Sequence, residues 1–172
     1  MQNTHELLLT IATQSLDVAM NLLAKAESFV VERGINEYEL MQATLAPNMF
    51  SFTKQIQLIS DSAKGYPARL LGTAPVSMHD TESTIAELKE RIVKTKALLV
   101  KYATADFSNA DTQHIAFPWM AGKHFIGKEF VLDFAIPNIY FHLTTAYAIL
   151  RNQGVPLGKM DFLLHTKMHD DE

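Results

Sequence analysis

Apolar positions recur at three- and four-residue spacings in four long stretches of the chain, the period of an α-helix with one buried face. In the first, Ala12, Leu16, Ala19, Leu23, Ala26 and Val30 make one stripe of a helix expected over 4–33, with Gly34 as the residue just past its end. Residues 37–44 suggest a short helical turn. The second stretch, expected over 48–71, repeats the pattern through Met49, Phe52, Ile56, Ile59, Ala63, Tyr66 and Leu70. Asn48, just after Pro47, is its expected cap, and Gly65 and Pro67 predict a kink or an early end.

After a loop over 72–80, Thr84-Ile-Ala-Glu87 reads as a capping box that opens the third helix, with Ile85, Leu88, Ile92, Leu99 and Tyr102 inward. The helical period is lost over 105–128, where 114–119 and 123–125, flanking Met120-Ala-Gly122, predict a small β-hairpin. The fourth helix is expected over 128–152 with Pro137 inside it, and Gly154, Pro156 and Gly158 stop it. The whole predicts an all-α fold, a four-helix bundle with one irregular or hairpin excursion between its third and fourth helices. The bundle is expected to occupy 1–164 and a tail 165–172. The loops before the second and fourth helices are long enough for crossover connections, so the order of the helices stays open.

A chain of 172 residues fits one ordinary domain. It contains no cysteine, which removes disulfides, thiol catalysis and thiolate metal sites. The net charge is −4 with Lys and Arg scattered, a poor match to nucleic acid. No uninterrupted apolar run approaches membrane-spanning length and the N-terminus lacks the features of a signal peptide, so a cytoplasmic protein without a membrane partner is expected. G-x-G-x-x-G, P-loop, H-E-x-x-H and G-x-S-x-G motifs are all missing.

The fourth helix carries the candidate chemistry. On a 100° wheel, Ile136, Ile139, Leu143, Ala146 and Leu150 form one apolar flank. Phe130, Phe134, Phe141 and Ala148 form the other, and Asp133, Tyr140, Tyr147 and Arg151 the wet face. Asn138, His142 and Thr145 fall between the flanks, in a line aimed at the bundle centre. Buried polar groups need partners, and Gln55 and Asn48 on the second helix are placed to supply them. Three readings stay open: a polar set that fixes helix register, a small-ligand pocket with His142 as hydrogen-bond donor or base, and a metal centre.

The tail pair His165 and His169, followed by Asp170 and Asp171, has the i, i+4 spacing that grips Zn or Ni on a helix, against the alternative of a frayed end. His114 and His124 flank the hairpin and are placed to face each other, and His5 and His79 look like solvent or loop residues. Trp119, beside Pro118, is a packing or rim residue. Asp61, Lys64, Arg69, Glu87, Glu90 and Arg91 fall on outer faces, where solvated charges are the expectation.

The segments 45–50, Gln55, 80–84, Arg91-Ile92, 137–147 and 154–162 together resemble a bacterial family of unknown function within the DinB/YfiT-like superfamily of proposed metalloenzymes. The resemblance covers nearly the whole chain and is most specific in the fourth helix. It implies a four-helix bundle, often a homodimer. It also implies a divalent metal held by three histidines, one from the second helix and two from the fourth, that activates a small thiol or water. This chain departs from that set: no histidine lies between Asn48 and Leu71, and the fourth helix has only His142, with Asn138 four before it and Ala146 four after. Gln55 or Asn48, and Asn138, would have to stand in, and neutral amides bind transition metals less well than imidazole. The expectation is therefore a degenerate metal site near Asn138, His142, Thr145, Gln55 and Asn48 that binds a small molecule. A metal-dependent transferase or hydrolase and a non-catalytic stress-related or interaction protein are the alternatives.

Overall fold

The ends of the helices are set by local chemistry. A computed structural model describes residues 3–169. It places α1 at Thr4–Arg33, α2 at Glu37–Gln42, α3 at Phe52–Leu70 and α4 at Ile85–Tyr102. A two-stranded hairpin, β1 His114–Ile115 and β2 Phe125–Ile126, leads into α5 Gly127–Glu129, a π-helical turn Phe130–Ala135, α6 Ile136–Asn152 and α7 Lys159–Phe162. Gly34 ends α1 in the left-handed conformation at φ 61°, with Ile35 N–H bonded to Val30 O. Thr84 and Glu87 form the capping box of α4: the Thr84 hydroxyl accepts from Glu87 N–H at 3.2 Å and the Glu87 carboxylate from Thr84 N–H at 3.1 Å.

The four long helices form the bundle. α1 and α3 pack on each other, and each packs on both α4 and α6, so α1 and α3 are the inner pair. Leu16, Leu23, Phe52, Ile56, Ile59, Leu88, Ile92, Ile139 and Leu143 belong to the common core. Over an 18-residue window α1 reaches a mean hydropathy of 1.4, enough by length and composition to cross a membrane. Its Leu8, Leu16, Leu22 and Leu23 are instead fully buried against the other helices.

Three helix expectations need correction. The second long helix starts at Phe52, capped by Ser51, whose hydroxyl accepts from Lys54 N–H, and not at Asn48. Met49 N–H closes a turn onto Ala46 O and Phe52 N–H bonds Ala43 O, which leaves Asn48 exposed in the turn. α3 is not ended by Pro67, which lies buried inside it. Tyr66, Ala68 and Leu70 beside it are buried as well, and their packing offsets the one backbone bond that proline cannot make.

In the last helix, Ile136 N–H reaches back five residues to Val131 O. This π turn inserts one residue and rotates everything after it by about 100° relative to a continuous α-helix. Phe130 is consequently buried while Phe141, expected on the same flank, is 57% exposed. Pro137 then sits in the first turn of α6, where its missing N–H matters least.

The hairpin is present but shorter than expected, pairing His114 with Ile126 and Ile115 with Phe125. His114 and His124 stack with ring centroids 4.2 Å apart. Gly127 holds the hairpin exit against the preceding turn: a Cβ there would lie 1.7 Å from Ala110 O.

A buried cation fastens the loop 72–84 to the bundle. Arg91 on α4 is only 2% exposed, contrary to its expected place among solvated charges. Its guanidinium donates to Asp61 on α3 at 2.8 Å, to Glu82 at 2.9 Å, to the His79 carbonyl at 3.1 Å and to Ser60 Oγ at 3.1 Å, with Asp80 at 3.0 Å. Lys64, also buried, reaches Asp61 at 2.6 Å, and Lys54 reaches Asp80 at 2.5 Å. Burial pushes the Asp80 carboxyl up, but Lys54 and Arg91 outweigh it and hold it below its ordinary range. A single residue thereby ties α3, α4 and the loop together.

Two stability outcomes are expected. Gly127→Ala forces Ala110 and its turn to move and costs roughly 1–3 kcal/mol by chemical denaturation. Arg91→Met removes the cation shared by Asp61, Asp80 and Glu82 and costs roughly 3 kcal/mol, the low end for a broken buried pair because Asp61 and Asp80 stay partly wet and keep Lys64 and Lys54. Hydrogen exchange over 77–82 should rise with it, and unchanged exchange there would show that Arg91 does not fasten the loop.

Candidate ligand-binding site

α3 is buried on nearly every side, although its sequence supplies only one apolar stripe. Several of the buried positions outside that stripe are polar and find partners. Thr53 donates to Met41 O at 3.0 Å, Gln57 to Glu82 at 2.9 Å, and Ser60 pairs with Thr95 at 2.7 Å. Where α3 faces α6, two further polar cells form.

In the first cell, His142 Nδ1 lies 2.8 Å from Gln55 Oε1. Gln55 Nε2 donates to Phe50 O at 3.3 Å, which fixes the amide with its oxygen toward the imidazole. That oxygen can only accept, so His142 carries its proton on Nδ1. Burial holds the imidazole below its ordinary pKa, which favours the neutral ring. Nε2 then presents a lone pair, and among the described residues it has no hydrogen-bond partner and is not sealed from solvent.

In the second cell, Asn138 Nδ2 donates to the Tyr66 hydroxyl at 2.7 Å and approaches Ser62 Oγ at 3.4 Å, while Ser62 Oγ donates to the Tyr66 hydroxyl at 3.2 Å. Burial pushes the Tyr66 phenol up despite these bonds, so the hydroxyl stays protonated. Because its oxygen accepts twice, its own proton is left to donate outward, and Asn138 Oδ1 is left to accept. Ser62, Tyr66 and Asn138 line a cleft of about 410 Å³ whose other walls include Arg69 of α3, Pro75 to Met78 of the Arg91-fastened loop, and Phe117 from the hairpin segment. The guanidinium carbon of Arg69 lies over the Phe117 ring, 4.3 Å from its centroid. Phe117 rests on Phe130, Phe134 and Trp119, so an aromatic cluster sets that wall.

The structure thus divides the expected pocket. Asn138 lines the cleft, whereas His142 with Gln55 forms a separate cell that does not. Thr145 is buried, but its hydroxyl bonds Phe141 O one turn back in the same helix. Asn48 is exposed in its turn and contributes to neither cell. Tyr66, read from sequence as one more apolar stripe position, supplies the central hydroxyl. The available signal was Ser62, one helical turn before it and facing the same way.

The tail histidines do not form a helical pair. Residues 166–169 are irregular, His165 Nε2 meets Asp17 at 3.1 Å, and His169 is exposed. Asp170 and Asp171 lie outside the described residues. The donors at the bundle core do not fit the divalent metal that the resemblance implies. Gln55 Oε1 is taken by His142, Asn138 is engaged with Tyr66, and among the described residues no group of three or more His, Cys, Asp or Glu is placed to hold a metal. One imidazole nitrogen falls short of the three protein ligands of a catalytic centre.

Four long helices, a hairpin before the last of them, and a polar α3–α6 seam define a DinB-like helical bundle. The family model described as Domain of unknown function (DUF1993) matches residues 4–163, and the chain belongs to that family. A DinB family member protein from Shewanella denitrificans has a similar crystal structure, with 38% sequence identity over 99% of each chain and a TM-score of 0.85. No curated protein matches the chain.

His142 also makes a pH prediction. Its folded pKa is depressed, so the unfolded chain takes up the proton first and the native state loses stability as pH falls below 6.5. His142→Gln can still donate to Gln55 but cannot titrate. Denaturation midpoints of this variant, measured from neutral pH downward, should decline less steeply than those of the wild type. An equal decline would assign the effect to other groups.

Proposed function

We propose that the protein binds a small organic molecule in the cleft between α3, α6, the loop carrying Pro75 to Met78, and Phe117. The observation that carries this reading is the Asn138–Tyr66–Ser62 cell, which lines the cleft and keeps one donor and one acceptor unspent. A polar set that served only to fix helix register would satisfy itself internally. The cleft is open to solvent, combines apolar lining residues with a few convergent polar groups, and has a volume of about 410 Å³, within the range of small-molecule sites.

The test is a fragment screen by ligand-observed NMR against the wild type, Asn138→Leu and His142→Gln. Cleft ligands should bind the wild type and His142→Gln alike and weaken about tenfold or more in Asn138→Leu, as expected for a lost hydrogen bond that leaves a polar partner stranded. Fragments lost in His142→Gln but kept in Asn138→Leu would move the site to the His142–Gln55 cell. A screen without any fragment sensitive to Asn138→Leu would end this reading.

A further inference from the structure

The charges around the cleft are not balanced. Asp61, Lys64 and Arg69 line it. The Asp61 carboxylate is already shared between Lys64 at 2.6 Å and Arg91 at 2.8 Å. Arg69 has neither a carboxylate nor any other hydrogen-bond acceptor among the described residues. Its guanidinium carbon lies over the Phe117 ring, 4.3 Å from the centroid. A contact with the ring face spends none of the N–H donors, and the fork can receive a planar, two-oxygen anion. Tyr66 lines the same cleft, one helical turn before Arg69. Leu58, Pro75, Val76 and Met78 give the rest of the cleft an apolar surface.

We infer that the cleft takes a small carboxylate with a short apolar body, its carboxylate received by Arg69 beside the Tyr66 hydroxyl. This rests on the cleft being the ligand site. A phosphate dianion fits less well. Only one lining cation is unshared, which matches a single negative charge and leaves the second charge of a dianion unmet. Asn138 Oδ1 adds an acceptor that favours a ligand with a hydroxyl or amide donor on its body.

The experiment is calorimetric titration of the full chain with hexanoate, 6-hydroxyhexanoate, hexanamide and hexyl phosphate. Hexanoate should bind at least about tenfold more tightly than hexanamide, the order expected for a charge-assisted pair, and 6-hydroxyhexanoate at least as tightly as hexanoate. Arg69→Gln should erase the difference between acid and amide, and Arg69→Lys should keep part of it. Circular dichroism confirms that each variant is folded, and the lysine variant keeps the comparison valid if glutamine is not tolerated. Equal binding of acid and amide, or tighter binding of hexyl phosphate, overturns the carboxylate assignment. So does binding by none of the four probes. In each of those cases fragments lost in Asn138→Leu would still leave the cleft as a ligand site, which separates the two failures.

Discussion

The charge of Arg91 must be met inside the protein, and much of the structure follows from how it is met. A guanidinium at 2% exposure cannot rely on water, so the chain has to bring carboxylates to it. Asp61 comes from α3 and Asp80 and Glu82 from the loop before α4, so neutralising one side chain fixes the position of three segments. Lys64 and Lys54 complete the exchange by pairing with two of these carboxylates, Asp61 and Asp80. The loop fastened in this way is also the wall of the cleft, because Pro75 to Met78 lie between the end of α3 and the residues that Arg91 holds. The ion network therefore does two things at once. It covers a helix that is too polar to form an ordinary core face, and it shapes the surface next to Tyr66 and Asn138.

The polar seam between α3 and α6 works by division. The Gln55–His142 pair uses an amide whose orientation is set by Phe50 O, and this decides the tautomer of the ring. A histidine at position 55 would offer a second imidazole. A glutamine offers an acceptor for Nδ1–H and no second imidazole, so the seam brings a single histidine nitrogen, Nε2, where a metal site needs several donors. One turn away Asn138 serves a different group, the Tyr66 hydroxyl. The two cells share two helices and differ in where they open, so variants in one leave the chemistry of the other in place.

The hairpin is small, but its placement matters. Its segment delivers Phe117 onto Arg69, and Gly127 allows its exit to pass within backbone distance of Ala110. The π turn that follows resets the face of α6 before Asn138 begins. Hairpin, π turn and proline together determine which α6 residues meet α3.

The amino-acid sequence by itself determined the number of long helices, the α1 stop at Gly34, the α4 capping box, the hairpin and the polar line Asn138, His142 and Thr145. Each of these depends on residues within a few positions of one another, where periodicity and capping chemistry act directly. The burial of Arg91 and Lys64, the role of Tyr66 and the separation of Asn138 from His142 were decided only by the tertiary structure. A wheel drawn for one helix cannot know that the loop before it will fold back and bring Asp80 and Glu82 to its polar face. Nor can it know that one inserted residue at 130–135 will rotate Phe141 outward. The charge on a helix face reads as solvated until the segment that covers it is in place.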